Sequence, residues 1–171
     1  MRKFFLETER LVFSHWEEGD LPLARQLWGE AEVTRYICAS GVFSPEEIEA
    51  RLRAEIDNNK KYGVQYFPVF EKATEELVGC CGLRPCDKKD ALELGVHLRK
   101  EFWRQGLGRE AVEAVIEYAF TLTGVEELRA RHNPQNTASR RLLTKVGFQY
   151  ERDEFYSPTG LYHPSYSMKK K

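Results

Sequence analysis

The strongest constraint on the fold is a glycine-containing loop that joins a predicted strand to a long amphipathic helix. Residues 102–109 read F-W-R-Q-G-L-G-R, and the helix is predicted from about 108 to 123. Glycine lets a backbone approach a ligand closely, and free amides at a helix N-terminus attract anions such as pyrophosphate. The alternative is a tight turn with solvated arginines. We expect an anion site formed by Arg104, Gln105, Gly106, Leu107, Gly108 and Arg109.

Strand and helix signals alternate along the rest of the chain. β-Rich segments predict strands over 10–16, 64–72, 77–83, 91–99, 128–132, 148–156 and 161–168. Apolar periodicity and capping residues predict helices over 20–28, 32–37, 44–58, 108–123 and 137–146. The clearest helix start is the capping box Ser44-Pro45-Glu46-Glu47, and Gly63 is a suitable terminator. This order predicts an α/β fold of the mixed α+β kind, in which a central mixed sheet of about seven strands is flanked by four to five helices.

Length and charge restrict the class of protein further. A chain of 171 residues fits a single domain, 1–171. Its 42% hydrophobic and 31% charged residues exclude wholesale disorder. A net charge of -1 gives no general attraction to nucleic acid or to an anionic membrane. No apolar run reaches the roughly 18 residues of a transmembrane helix, and no signal peptide is evident, so we expect a cytoplasmic protein with neither kind of partner.

Cysteine and histidine spacing gives no indication of a metal site. Cys38, Cys80, Cys81 and Cys86 contain no C-x-x-C pair. Cys80 and Cys81 are neighbours, so they should point to opposite faces of a strand, which favours free thiols. The four histidines are isolated, and each is read as structural or surface: His15, His97, His132 and His163. No metal is therefore expected. Neither a nucleophile elbow nor a phosphate-binding P-loop is present.

A second group of chemically interesting residues surrounds the helix predicted over 137–146. The segment 136–148 reads N-x-x-S-x-x-x-x-x-K-x-G-F. Taken singly, Asn136 and Ser139 suit helix capping, and Gly147 suits helix termination. Each of these residues has an ordinary structural explanation when it is considered alone.

The two motifs together resemble the GNAT superfamily of N-acetyltransferases, and more closely its RimJ/RimL-like branch. Asn136 lies 30 residues beyond Gly106, as that family requires. Four further segments agree in order with the resemblance: Thr8-Glu9-Arg10-Leu11, Glu32-Val33-Thr34-Arg35-Tyr36, Val78-Gly79-Cys80-Cys81-Gly82-Leu83 and Leu92-Glu93-Leu94-Gly95. Trp103 replaces the Gln or Arg that commonly opens the loop, and RimJ/RimL-like members often have Trp there. The resemblance spans nearly the whole chain and implies the GNAT fold.

The resemblance also implies how acetyl-coenzyme A binds. The backbone of the loop from Arg104 to Arg109 should hold the pyrophosphate. The strand around His97, Leu98 and Arg99 should pair with the pantetheine arm through main-chain hydrogen bonds. Asn136 should contact the pantetheine region. The adenosine phosphate should lie near a cation of the following helix, for which the alternative is a solvated helix face: Arg140, Arg141 or Lys145.

Two catalytic roles follow from the resemblance. Many GNAT enzymes place a Tyr seven residues after the Asn as acid for the leaving thiolate, but Leu143 occupies that position here. In the RimJ/RimL-like pattern a Ser at the Ser139 position lies near the thioester sulfur, so the resemblance makes Ser139 the candidate proton donor. An alkyl amine must lose a proton before or during attack, and Glu93 is the candidate base. The alternative for Glu93 is an ordinary strand residue that faces water.

The predicted activity is transfer of acetyl from acetyl-CoA to a primary amine, either a protein N-terminus or a small-molecule amine. The alternative is a non-catalytic acetyl-CoA sensor of GNAT fold. The absence of the Tyr acid, whose position Leu143 occupies, keeps this alternative open. Segments 34–43 and 156–162 should shape the acceptor mouth. Dimers are common in the family, so a homodimer is compatible with the resemblance.

Overall fold

The computed structural model describes all 171 residues, and its elements follow the predicted order. The strands are β1 (Leu6–Glu7), β2 (Leu11–Phe13), β3 (Tyr66–Glu71), β4 (Leu77–Pro85), β5 (Ala91–Leu98), β6 (Glu127–Arg131), β7 (Gln149–Tyr156) and β8 (Leu161–Lys169). The helices are α1 (Leu21–Trp28), α2 (Ala31–Thr34), α3 (Pro45–Tyr62), α4 (Leu107–Thr121) and α5 (Thr137–Val146). Short 3₁₀ turns at Glu18–Asp20 and Lys100–Phe102 precede α1 and α4.

All eight strands form one mixed sheet in the order β1-β2-β3-β4-β5-β6-β8-β7. Every neighbouring pair is antiparallel except β5 and β6, which are parallel. The predicted mixed sheet is confirmed, with eight strands instead of about seven. The additional strand, β1, has only two residues and carries no alternation pattern that a sequence could reveal.

The first predicted strand, 10–16, is shorter in the structure than expected. Regular pairing ends at Phe13, because the next residue in register on β3 is Pro68, which has no N–H to donate back to the β2 chain. Ser14 N donates to Pro68 O at 3.0 Å. Trp16 N donates to the side-chain oxygen of Gln65 at 2.8 Å.

Local helix signals predicted the structure well. Ser44 Oγ accepts from Glu47 N at 3.1 Å, and the Glu47 carboxylate accepts from Ser44 N, which completes the capping box. Gly63 ends α3 at φ 73°, and Gly147 ends α5 at φ 106°. Both conformations are left-handed and favour glycine. The chain then returns to the core at Phe148, which is 4% exposed.

Two hydrophobic clusters cover opposite faces of the sheet. The larger lies under α4 and α5 and contains Phe67, Leu107 and Val112. The smaller lies under α1–α3 and contains Trp28 and Tyr66. Cys81 belongs to the larger cluster and Cys80 to the smaller, which confirms that adjacent strand residues face opposite sides. All four cysteines are free thiols, and none of the helices is long and apolar enough to cross a membrane.

Candidate active site

A cleft of about 250 Å³ opens where β5 and β6 diverge. The two strands pair only over their first residues, ending at Glu93 and Arg129. From Leu94 to Leu98, β5 is paired with β4 alone, so its other edge is free. Residues from both diverging strands and from α5 line the cleft, which brings the predicted Glu93 and Ser139 into one site.

Backbone direction along β5 decides which main-chain groups reach this free edge. Arg99 N donates to Val78 O at 2.9 Å, on the β4 side. Alternate residues of a strand direct their backbone groups to the same side, so His97 also faces β4. The groups that face the gap belong to Leu94, Val96 and Leu98, and the Leu98 carbonyl already accepts from Trp103 Nε1 at 2.8 Å. Of the three residues predicted to bind through their main chain, only Leu98 therefore faces the gap, and Leu94 and Val96 face it as well.

The side chains of His97 and Arg99 have partners within the protein. Trp28 Nε1 donates to His97 Nδ1 at 3.1 Å, which places the ring proton on Nε2. Burial, together with Arg51 and Arg84, lowers the pKa of His97 well below its ordinary value, so the ring is neutral. Arg99 pairs with Glu30, Glu76 and Glu101.

The predicted anion loop lies at the N-terminus of α4. Arg104 has φ 60° and Gly106 has φ 78°, and this pair of left-handed residues turns the chain into the helix. None of the six backbone amides from Arg104 to Arg109 donates to an acceptor within the protein. Gly108 has no Cβ and packs near the Leu98 and Leu142 side chains, so the loop lies beside the end of β5. The arrangement is suited to an anion.

The N-terminal strand region fixes the loop in place. The Glu110 carboxylate in the first turn of α4 accepts from Thr8 Oγ1 at 2.6 Å, Arg10 N at 2.8 Å and Arg10 Nε at 2.7 Å. Arg10 Nη1 in turn donates to the Gln105 carbonyl at 2.8 Å. Burial opposes ionisation of Glu110, but the hydrogen bonds from Thr8 and Arg10 prevail and lower its pKa. The segment Thr8–Leu11 thus supports the start of α4.

The second motif places two of its residues in the cleft. Asn136 caps α5, since its Oδ1 accepts from Ser139 N at 3.2 Å. Ser139 contributes only this amide to the cap, and its half-buried hydroxyl lines the cleft without a protein partner. Lys145 is exposed in the last turn of α5 and lies outside the cleft lining. Arg140 and Arg141 are exposed as well.

Glu93 is half-buried and lines the cleft. Its Oε2 pairs with Arg131 Nη2 at 3.2 Å, and Arg131 also lies 3.9 Å from Glu154. Glu93, Gly95 and His97 share one face of β5. A Cβ added at Gly95 would lie 2.3 Å from the Tyr66 ring, so glycine is needed for Tyr66 to cover this part of the strand.

Sequence reasoning missed several residues of the site. His132 and His163 line the cleft although they are isolated in sequence, and they join His97, which was predicted for its main chain only. His132 bonds the Tyr166 hydroxyl at 3.0 Å, and burial lowers the pKa of both His132 and His163. Of the predicted mouth segments, Tyr36, Ile37 and Tyr156 reach the lining. One sequence signal could have identified His132 as a site residue: it lies at the end of a predicted strand, and that strand ends beside the β5 gap.

Comparison with known proteins agrees with this architecture. The acetyltransferase (GNAT) domain model matches residues 10–149. The uncharacterized N-acetyltransferase p20 of Bacillus licheniformis is 30% identical over 147 residues, which are 85% of this chain and 83% of that protein. The [ribosomal protein uS5]-alanine N-acetyltransferase of Escherichia coli K12 is 27% identical over 109 residues, 63% of this chain and 56% of that one. Diverging strands, a free-amide loop and this family match define the class: the chain belongs to the GNAT acetyltransferase family.

Within the family, the chain is similar to the RimJ/RimL-like branch and is an N-acetyltransferase. A solved structure titled RimL, ribosomal L7/L12 alpha-N-protein acetyltransferase in complex with coenzyme A, has a TM-score of 0.82. Its sequence is 16% identical, and the match covers 98% of each chain. At this identity the likeness concerns the fold alone.

Proposed function

We propose that the protein transfers the acetyl group of acetyl-CoA to a primary amine bound in the cleft. The run of unpaired backbone amides from Arg104 to Arg109 carries this proposal, because these N–H groups can donate hydrogen bonds to a pyrophosphate. The free edge of β5 lies beside that loop and offers the main-chain groups of Leu94 and Val96 to an amide-containing arm. Both features suit coenzyme A.

The remaining binding residues extend from these two features. Asn136 lies in the cleft opposite β5 and supplies an amide side chain for the pantetheine region. Lys145, Arg140 and Arg141 are solvent-accessible cations on α5 and are our candidates for the adenosine phosphate. No step of the chemistry depends on them.

The cleft residues divide the proton transfers between them. The thioester supplies the acetyl group; the amine nitrogen bonds to the acetyl carbon as the carbon–sulfur bond breaks. Glu93 accepts the proton that the amine loses, directly or through one water. The Ser139 hydroxyl donates a proton to the departing thiolate and is reprotonated from solvent. A backbone N–H at the β5 gap stabilises the negative charge that develops on the acetyl oxygen.

A turnover assay tests this function. Purified protein is incubated with acetyl-CoA and a panel of small amines and peptides, and free thiol is measured over time. We expect amine-dependent thiol release, together with an acetylated amine detected by mass spectrometry. Saturable acetyl-CoA binding without thiol release on any acceptor would favour the sensor alternative, to which Leu143 in the cleft lining gives its support.

Glu93→Gln keeps the shape of the side chain and removes its basicity. We expect turnover to fall about 10- to 100-fold, with the largest deficit where the wild-type carboxylate is ionised. The measurement is a pH–rate profile of both proteins.

Glu154→Gln is the matched control, because Glu154 also pairs with Arg131 but lies outside the cleft lining. Its profile should match that of the wild type. If the pH–rate profile of Glu93→Gln has the same slope and the same plateau as that of the wild type, Glu93 is not the base. Solvent would then accept the proton of the amine.

A further inference from the structure

One guanidinium in the cleft, that of Arg51, forms neither an ion pair nor a hydrogen bond within the protein. Arg51 extends from α3 into the cleft and stacks over two aromatic rings, with its Cζ 5.3 Å from the centre of the Trp28 ring and 5.5 Å from that of Tyr66. Its Nε is buried and is the one buried side-chain polar atom in the protein without a hydrogen-bond partner. Buried polar groups are normally satisfied, so an exception of this kind calls for a ligand.

The other charges in the cleft are already balanced. Glu55 is one turn further along α3, and both of its carboxylate oxygens have other partners: Oε1 accepts from Arg84 Nη2 at 3.0 Å and Oε2 accepts from Tyr66 N at 2.8 Å. Glu93 pairs with Arg131. Arg84 and Arg131 thus each have a carboxylate partner, whereas Arg51 is the one arginine of the cleft that forms no ion pair, although Glu55 lies close enough to act on its charge.

The position of Arg51 assigns this charge to the acceptor and not to coenzyme A. Arg51 lies with Trp28 and Tyr66 on the face of the sheet that α1–α3 cover. The loop from Arg104 to Arg109, where the phosphates would bind, opens α4 on the opposite face. The pantetheine arm and the acetyl group are uncharged, whereas an anionic group on the amine would supply the ion pair that Arg51 lacks.

We infer that the amine acceptor also carries a carboxylate, which the Arg51 guanidinium binds on the α1–α3 side of the cleft. This inference rests on the proposed function and names its substrate class. The stacking on Trp28 and Tyr66 holds the guanidinium plane in place, and a planar fork matches a carboxylate. The carboxylate belongs either to a free amino acid or to an acidic residue near a peptide N-terminus.

Matched acceptor pairs test the inference and separate these two sources. Alanine is compared with alaninamide, and the peptide amide Ala-Asp-Ala with Ala-Asn-Ala. We expect the wild type to favour the carboxylate member of at least one pair. Arg51→Gln should lower kcat/KM for that member about 10- to 100-fold and leave the neutral member within about twofold. Arg51→Lys should retain part of the preference, and the KM for acetyl-CoA should not change.

Arg53→Gln is the control, because Arg53 is exposed on the same helix and lies outside this cleft. Equal losses on both members of a pair, or a wild type without a carboxylate preference, would overturn the inference and assign Arg51 a structural role. If no acceptor is turned over, calorimetric titration of alanine and alaninamide in the presence of CoA decides the question. Selective alanine binding that Arg51→Gln abolishes supports the inference even when the transfer reaction itself fails.

Discussion

Gly106→Val should weaken coenzyme A binding by about 100-fold or more while the protein remains folded. Gly106 lies in the left-handed region at φ 78°, at the entrance to α4. A valine side chain there would occupy the space in which a phosphate must approach the free amides, and its Cβ would lie 3.4 Å from Arg10 Nη2. Calorimetric titration with CoA measures the affinity, and thermal unfolding measures the stability.

Valine at such a backbone conformation also costs about 1–2 kcal/mol of stability, so the control must share this strain. Gly63→Val meets the requirement, because Gly63 has φ 73° and open space around it, and it lies at the end of α3. Both variants should lose similar stability, and only Gly106→Val should lose CoA affinity. Equal affinities in the two variants would remove the loop from the cofactor site.

Ser139→Ala should lower turnover by about 100-fold with little change in the KM for acetyl-CoA. The hydroxyl has no partner within the protein and lines the cleft, so its loss should affect the departing thiolate and not the packing. Because the helix cap uses the Ser139 backbone amide, alanine keeps that cap intact. Steady-state kinetics at saturating amine separates kcat from KM.

Thr137→Ala, an exposed hydroxyl deletion in the same turn, serves as the control and should behave as the wild type. Normal turnover in Ser139→Ala would show that the hydroxyl takes no part in the reaction and that another group protonates the thiolate. In that case the turnover of amines that react faster without enzyme should be equally unaffected by the Ser139→Ala substitution.

Prediction from the sequence succeeded where the residues that determine a local structure lie within one short segment. The capping box at Ser44 and the terminators at Gly63 and Gly147 act within a few residues, and each has the predicted geometry. The same holds for the loop before α4, whose glycines and following helix are contiguous in the chain. Strand β1 escaped prediction because its two residues acquire their strand character only by pairing with β2.

The cleft was harder to predict because its parts come from distant segments. Arg51 belongs to a polar helix whose sequence resembles any solvated surface helix, and only the fold brings it against Tyr66. The backbone direction along β5 depends on its register with β4, which the sequence does not specify. For that reason the sequence did not show that Leu94 and Val96 face the gap, or that Leu98 is the one residue of the suggested segment that does so.

The two hydrophobic clusters on opposite faces of the sheet have a consequence for how such enzymes diversify. The helix that follows Gly106 packs in the larger cluster, whereas Arg51, Tyr66 and Trp28 belong with the smaller one. Substitutions at distant sites that share no partners have nearly additive effects on stability. If the proposed function holds, a lineage with this architecture can exchange the residues of α1–α3 and acquire a new acceptor while the loop before α4 is inherited unchanged.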